Sequence, residues 1–519
     1  MLIISKKIIV VLFTFSSLVI SSLTIDLFVH NAKGISDACM SDQELKVKNI
    51  KNQTLLNTTT TQNIENQTLL NTSVTQNNPE ITDPSVKVEK VFNGLEFPTS
   101  MAFLGPNDIL VLEKNNGTVQ RIVNGEMLPK PLLDVNVANR GERGMLGIAL
   151  SKDAITRHTY IFLYFTEAQT KDGDDVSKAK DPIGNRLYRY ELVDNKLVNP
   201  KLLLDLPSTP GPNHNAGKIT IGHDNNVYTV IGDVYGHRTK AQNIKKGDDP
   251  DGTSAIYRIT QDGKVVSPTI LGDKEPLNKT YAYVITQNGK IVSPNILGYK
   301  DPLNKYYAYG IRNSFGLDFD PLTGNLWDTE NGPNFGDEIN LVKPGFNSGW
   351  GKVQGIWEPC PSKPSEIGEI ASPNPEGLVS VNGKGKYSPP EFTWNDTVGV
   401  TSLKFFNSDK LGKEYENDLF VGDFHNGYLY HFDLNKKRDK LLLEGSLKDK
   451  VADNMKELKN AIFGRGFGGI TDMQIGPDGY LYILSLQEGG SNCVSPYYNS
   501  WCLKYNSPID GTIYKVVPK

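Results

Sequence analysis

The chain has 519 residues, of which 22% are charged, and a formal charge of −4. That balance gives no electropositive footprint and excludes nucleic acid as a partner class. The length admits several average domains or one large all-β domain with appendages, and 48 Gly, 23 Tyr and 20 Phe favour the turn-rich, strand-rich second form.

Lys6 and Lys7 precede an uncharged, mostly apolar run from Ile8 to Ile25, the layout of an export signal. The run also reaches the lower limit for a membrane span, and no small-x-small cleavage site follows it. Residues 1–33 therefore read equally as a cleaved signal or as an uncleaved anchor through residues 8–25. Residues 34–85 read as a linker. From Asn52 to Asn78 it is rich in Asn, Thr and Gln and carries the heptamer NQTLLNT at Asn52–Thr58 and again at Asn66–Thr72. Such a segment buries too little apolar surface to offset the entropy of ordering, so a disordered, glycosylatable stalk is expected. Acceptor sequons stand at Asn52, Asn57, Asn66 and Asn71, and later at Asn116, Asn278 and Asn395. Export places the protein outside the cell or on its surface. In that oxidising compartment Cys493 and Cys502 can close a short loop, while Cys39 and Cys360 have no evident partner.

Six copies of one unit follow. They begin at FPTSMAFLGPNDILVLEK, RGMLGIALSKDAITRHTYIFLYFT, AGKITIGHDNNVYTVIGD, SFGLDFDPLTGNLWDTENG, GVTSLKFFNSDKLGKEYENDLFVGDF and GGITDMQIGPDGYLYILSL. Each has an apolar strand, a Gly/Pro/Asp/Asn turn, a second aromatic or β-branched strand, a loop, and a third strand rich in Tyr or Ile. Sheets of this kind bury their faces only against neighbouring copies, and radial closure leaves few strand edges bare. The expected fold over residues 86–519 is therefore all-β, a six-bladed β-propeller. The early strand VKVEKVF, Val86 to Phe92, is placed to seal the ring by joining the last blade. Between the third and fourth units Thr260–Ile285 and Thr286–Ile311 agree at about 19 of 26 positions, a tandem duplication spanning 260–311. Its first copy is read as a surface excursion without catalytic importance.

Polar residues gather at equivalent places in the repeats, where propeller loops converge. Arg140-Gly141-Glu142-Arg143 precedes the second unit, the loop PGPNHNAGK with His214 precedes the third, and Arg312-Asn313 precedes the fourth. Asn331-Gly332-Pro333 and Asp337-Glu338 follow the fourth unit's second strand, and Asp423-Phe424-His425-Asn426 follows the fifth's. An imidazole facing the channel at His214 can act as a base near neutral pH. Arg312 offers a rigid fork of donors for a developing anion, and the carboxylates and Gly-Pro carbonyls are hard oxygen ligands suited to calcium.

The strings GERGMLGIA, HNAGKITIG, YGIRNSFGLDFDP, ENGPNFGDEINL and ITDMQIGPDGYLY, with this blade order, resemble the soluble glucose/sorbosone dehydrogenase family from about Phe92 to Val517. The resemblance implies a propeller that binds pyrroloquinoline quinone and Ca²⁺ and oxidises aldose sugars at the anomeric carbon, passing electrons to an external acceptor. It assigns His214 as the base for the sugar C1 hydroxyl, with Arg312 and Asn313 at the quinone. Gly332 and Pro333 become the carbonyl pair on the cofactor-bridging calcium, and Asp337 and Glu338 ligands of further calcium sites. Where relatives carry glutamines this chain has Glu142 near the histidine and Asn331 at the cofactor. The family's cofactor-binding lysine aligns with His425, and its paired arginines before the last inner strand fall on Gly469 and Thr471. Lys218, Arg465 and Lys404 are the cations available to compensate for the three carboxylates of the quinone. Two other functions fit the same fold: a non-catalytic propeller that binds a surface glycan or protein, and a calcium-dependent lactonase-type hydrolase with carboxylate and amide ligands at the channel floor.

Overall fold

The computed structural model describes residues 79–153, 157–266, 284–285, 291–292, 301–486 and 510–519. The export segment, the stalk sequons, Asn278, Cys39, Cys493, Cys502 and most of the duplicated segment lie outside the described residues. Thr72–Ile356 with Ala371–Lys519 forms one compact unit, and among the described residues Trp357–Ile370 belongs to another. The smaller piece is a hairpin in which Trp357–Pro359 pairs antiparallel with Ile367–Ile370. Cys360 within it is disulfide-bonded, which corrects its reading as a cysteine without a partner. Every other cysteine is far away along the chain, where spacing carries no signal.

The larger unit is an all-β propeller, with a single four-residue α-helix, Asp174–Ser177, among its described residues. Among the described residues, six sheets of four or more strands follow one another along the sequence. Their first strands are Pro98–Gly105, Met145–Lys152, Ile219–Ile221, Ser314–Phe319, Val400–Phe405 and Gly469–Ile475. These strands contact one another in that order, and the last returns to the first. They enclose a channel cavity of about 270 Å³.

Each pair of consecutive sheets shares one apolar core. Leu110, Leu112 and Val119 of the first sheet pack on Met145, Ile161 and Leu163 of the second. Ile483, Leu481 and Tyr514 of the sixth pack on Phe420 and Phe463 of the fifth, and Leu484 and Ile513 close on Ile109 and Val111 of the first. A strand between two sheets must be apolar on both faces, which is why Val227–Ile231 reads VYTVI and is buried throughout. Its alternation divides the work: Val227 and Ile231 face the second sheet, while Tyr228 and Val230 face the fourth.

The expected seal is present. Val86–Glu96 pairs antiparallel with Asp510–Pro518, which continues through Leu481–Leu486 to Gly469–Ile475, so chain start and chain end share the sixth sheet. The linker boundary at residue 85 is too late, because Glu80–Ile81 already pairs with Ile462–Arg465 at the edge of the fifth sheet. Its two-residue length is why no strand pattern announced it. The sequence repeats also recur as repeated contacts. In the third sheet Asp224 accepts from Tyr228 and pairs with Arg258, and in the sixth Asp478 accepts from Tyr482 and pairs with Lys515. The end of the second duplicate, Tyr306–Tyr309, is a strand of the third sheet alongside Ala255–Ile259. Its counterpart in the first duplicate, Thr280–Tyr283, lies outside the described residues.

Candidate active site

In an antiparallel sheet the start of the first strand lies beside the end of the second, as Ser314 lies opposite Glu330 and Val400 opposite Asp423. Loops entering the first strands and the ends of the second strands therefore share one rim. His214, Arg312 and Glu142 reach it from the entering loops, and Asp233, Glu330 and Asp423 from the strand ends.

His214 is 7% exposed and adopts φ of 63°, followed by Ala216 at 51°. Such left-handed backbone on non-glycine residues persists only where the surroundings fix it. Here the His214 N–H donates to Glu142 Oε2 at 2.6 Å, and Nδ1 lies 2.5 Å from Asp233 Oδ1. Arg143 clamps the loop ahead of it, donating to the carbonyls of Ser208 at 2.6 Å and Gly211 at 2.9 Å while pairing with Asp175. With Nδ1 committed to the carboxylate, Nε2 is the nitrogen left to accept a proton, and no hydrogen bond engages it among the described residues.

Asp233 escaped the sequence reading. Its Oδ2 accepts the Trp350 indole N–H at 2.8 Å, and its own N–H donates to the Arg312 carbonyl at 2.9 Å. Burial pushes its pKa up, but the His214 hydrogen bond, the charges of His214 and Arg312 and the indole outweigh it and hold the carboxylate below its ordinary range. Gly232 permits this meeting of segments: a Cβ there would stand 2.2 Å from the Arg312 carbonyl oxygen and 2.7 Å from that of His214.

Arg312 donates its backbone N–H to Glu330 and its Nη1 to the Asn331 carbonyl, and its guanidinium lies 5.2 Å from the Trp350 ring centre. Arg312 Nε and Asn313 Oδ1 are buried without a hydrogen-bond partner. Buried polar atoms are nearly always satisfied, so an unused cationic donor beside His214–Asp233 fits an anionic oxygen of a bound group. Glu142 touches His214 through its main chain rather than its ring and also accepts from Asn313 Nδ2 at 3.1 Å, so it fixes both neighbours. Beside it Lys114 is buried, and desolvation lowers its pKa to about 7 against the opposing charges of Glu142 and Asp175.

Other expected residues sit differently. The Asn331 side chain donates to the Val400 carbonyl at 2.8 Å, tying the fourth sheet to the fifth. Asp337 and Glu338 do not converge, because successive residues of Phe335–Val342 point to opposite faces. Asp337 accepts the N–H groups of Gly332, Val398 and Gly399, each at 2.8 Å. Glu338 accepts from Gln354 at 3.0 Å and Asn340 at 2.9 Å. Gly332 sits in a turn so tight that a Cβ would stand 1.8 Å from the Phe335 carbonyl oxygen, and Pro333 follows it. His425 is exposed, 3.3 Å from the Thr397 carbonyl, and a Cβ on Gly399, whose N–H binds Asp337, would stand 3.0 Å from its Nε2, which places it beside the Asp337 corner.

At Gly469 a Cβ would stand 2.7 Å from the Phe424 ring, so an aromatic side chain fills the space next to the position where the resemblance expects an arginine. Thr471 donates to the Leu484 carbonyl at 3.4 Å. The three compensating cations are engaged elsewhere: Lys218 with Asp472 and Lys404 with Asp318 in the channel lining, and Arg465 with Glu80 at the exposed edge of the fifth sheet. The inner-strand acids Asp318 and Asp472 are thus lysine-paired. Among the described residues the only grouping of at least three His, Cys, Asp or Glu ligand atoms is Asp418, His431 and Asp433, none of which the sequence reading named.

A propeller with a histidine–carboxylate pair and an underused arginine at its rim now has named relatives. The glucose/sorbosone dehydrogenase family model matches residues 95–284 and 276–493, the two matches overlapping inside the tandem duplicate, and the chain belongs to this family of oxidoreductases. Over 409 residues, 78% of this chain and 91% of the relative, it is 26% identical to the aldose sugar dehydrogenase YliI of Escherichia coli. A quinoprotein glucose dehydrogenase B of Acinetobacter calcoaceticus is 28% identical over 51% of this chain and 52% of its own length. Among solved structures, the apo-form aldose sugar dehydrogenase of Escherichia coli superposes with a TM-score of 0.56 at 22% identity, covering 84% of this chain and all of its own. The PQQ-bound aldose sugar dehydrogenase of Streptomyces coelicolor does so with 0.51 at 21%, covering 85% of this chain and all of its own.

Proposed function

We infer that the six sheets are the blades of a six-bladed propeller that oxidises aldose sugars at C1 to lactones, with pyrroloquinoline quinone and calcium as cofactors. The observation that carries this reading is the His214 Nδ1 contact with Asp233, which fixes the imidazole and leaves Nε2 to take the proton of the C1 hydroxyl. Arg312, with its unpartnered Nε, and Asn313 would hold the quinone's reacting oxygens, and Gly332 and Pro333 would hold calcium through their carbonyls. When bound, the quinone supplies the hydride acceptor, and an external acceptor then removes the electrons. The chain's own part is to orient and to move one proton. Asp233 stabilises the imidazolium that forms, Trp350 and the Tyr235 N–H keep Asp233 in place, and Glu142 sets the His214 main chain and the Asn313 side chain in register. Export to the cell exterior accords with this chemistry and with the N-terminal run from Ile8 to Ile25.

Reconstitution with quinone and calcium, followed by dye reduction on an aldose panel, tests the reading. Turnover that disappears in His214→Gln while quinone binding survives supports it. Absence of both quinone-binding heat and turnover on every aldose would overturn it. One observation favours a non-catalytic, glycan- or protein-binding propeller instead: the Phe424 ring packed against Gly469, where cofactor-gripping charge is missing. That alternative gains if calorimetry shows a glycan binding to protein that takes up no quinone.

A further inference from the structure

Tyr235 is 59% exposed, the only aromatic among the large hydrophobic side chains left open in the described residues. A lone exposed ring is ordinary on a protein surface, and exposure by itself would say nothing. Its setting is not ordinary. Val234, Tyr235 and Gly236 have successive φ values of 46°, 59° and 124°, a left-handed run in which glycine or asparagine would be the undemanding choices. A β-branched and an aromatic residue held there mark stored strain, which clusters where function needs a fixed side chain.

Three contacts set the ring's position. The Tyr235 N–H donates to Asp233 Oδ1 at 2.9 Å, the same oxygen that faces His214. The phenol ring stands edge-on to the imidazole, centroids 5.5 Å apart at 71°. Gly211, in the loop ahead of His214, leaves the space beneath: a Cβ there would stand 2.3 Å from Tyr235 Cβ. The ring is thus anchored by its backbone to the carboxylate that orients the base, rests against the base, and presents its remaining surface to solvent.

We propose that Tyr235 is the substrate platform of this site, a specificity-determining residue on which the apolar C–H face of an aldopyranose packs while its C1 hydroxyl reaches His214 Nε2. An aromatic face offers large contact at little rotamer cost and carries a negative quadrupole that attracts polarised C–H groups. Because the ring opens to solvent, sugars extended at the end remote from C1 are accommodated. This inference rests on the aldose-dehydrogenase reading above.

The test uses the full chain loaded with quinone and calcium, with Tyr235→Ala, Tyr235→Phe and Tyr235→Gly compared on aldoses. Tyr235→Ala should raise KM about tenfold with kcat within about twofold, as expected for lost aromatic contact, and Tyr235→Phe should keep the parental KM. Tyr235→Gly separates binding from folding: it relieves the left-handed strain, so Tm should hold or rise while KM rises as in Tyr235→Ala. A KM within twofold of the parent in both Ala and Gly variants, or a loss confined to kcat, overturns the proposal. If the parent turns over no aldose, the dehydrogenase reading fails and the platform is judged by fluorescence titration of glucose, cellobiose and maltose into unloaded protein. Weaker binding in Tyr235→Ala then supports it, and unchanged or absent binding overturns it.

Discussion

Asp233 and His214 face each other across 2.5 Å at the rim of the propeller, and the second oxygen of Asp233 is held by Trp350, so the carboxylate cannot turn without breaking both contacts. The carboxylate sits below its ordinary pKa despite burial and is ionised at neutral pH. Asp233→Asn keeps the shape but replaces the acceptor facing Nδ1 with an amide that can stabilise the wrong tautomer. Turnover of reconstituted enzyme should fall by about 10² to 10⁴, by analogy with the histidine–aspartate pair of serine proteases, while KM changes little. Steady-state dye reduction measures this. Full activity in the variant would mean that the proton leaves by another route.

Gly232 separates two carbonyl oxygens, those of Arg312 and His214, that a side chain would strike at 2.2 and 2.7 Å. Both obstacles are backbone, so relief needs a shift of the loop carrying the base or of the one carrying the arginine. Gly232→Ala should cost roughly 1–3 kcal/mol in chemical denaturation, the range for overpacked sites, and lower kcat more than a surface control does. A variant with parental denaturation midpoint and kcat would show that the three segments are not tightly joined.

The propeller was legible because strand, turn and strand recur at a period that composition cannot hide, and because Val86–Phe92 had an obvious use at the ring's seam. His214 and Arg312 were legible from their place before inner strands. Asp233 was not, since a lone Asp in VIGDVYG resembles any turn residue. Aligning the repeats at the other strand end would have found it: Glu113, Glu167, Glu330 and Asp423 close second strands, and Asp233 stands two residues past one. The fates of Asp337, Glu338, Lys218 and Lys404 depended on which face of a strand each side chain takes and on partners hundreds of residues away. Alternation along a strand sends the adjacent Asp337 and Glu338 to opposite faces, which neighbouring places in the sequence do not announce.

Phe424 and Gly469 are complementary in shape, with the ring occupying the 2.7 Å clearance above the glycine. Gly469→Arg alone should therefore destabilise the protein. Paired with Phe424→Ala, the arginine gains room and a charge-assisted bond to a quinone carboxylate becomes available, worth roughly 1.5 to 3 kcal/mol or about ten- to a hundredfold in Kd. Calorimetric titration of quinone into calcium-loaded protein reads the difference. If the double variant binds no tighter than the parent, the quinone carboxylates do not approach this corner.

Asp328 is fully buried on Leu326–Glu330, two residues from Glu330 and opposite Asn340. Burial raises its pKa from 3.8 to about 7, and neither carboxylate oxygen has a hydrogen-bond partner among the described residues. The folded protein therefore keeps a proton that the unfolded chain releases. Between these two pH values the native state binds more protons, so the contribution of Asp328 is complete below about 3.8 and is lost as pH rises through about 7. Asp328→Asn carries a neutral amide at every pH. The variant should match the parent near pH 4 and exceed it by pH 8 on the order of 1–3 kcal/mol, with the gap opening across that interval. Urea denaturation at pH 4, 6 and 8 checks the slope. Parallel curves for parent and variant would mean that Asp328 is already ionised in the fold.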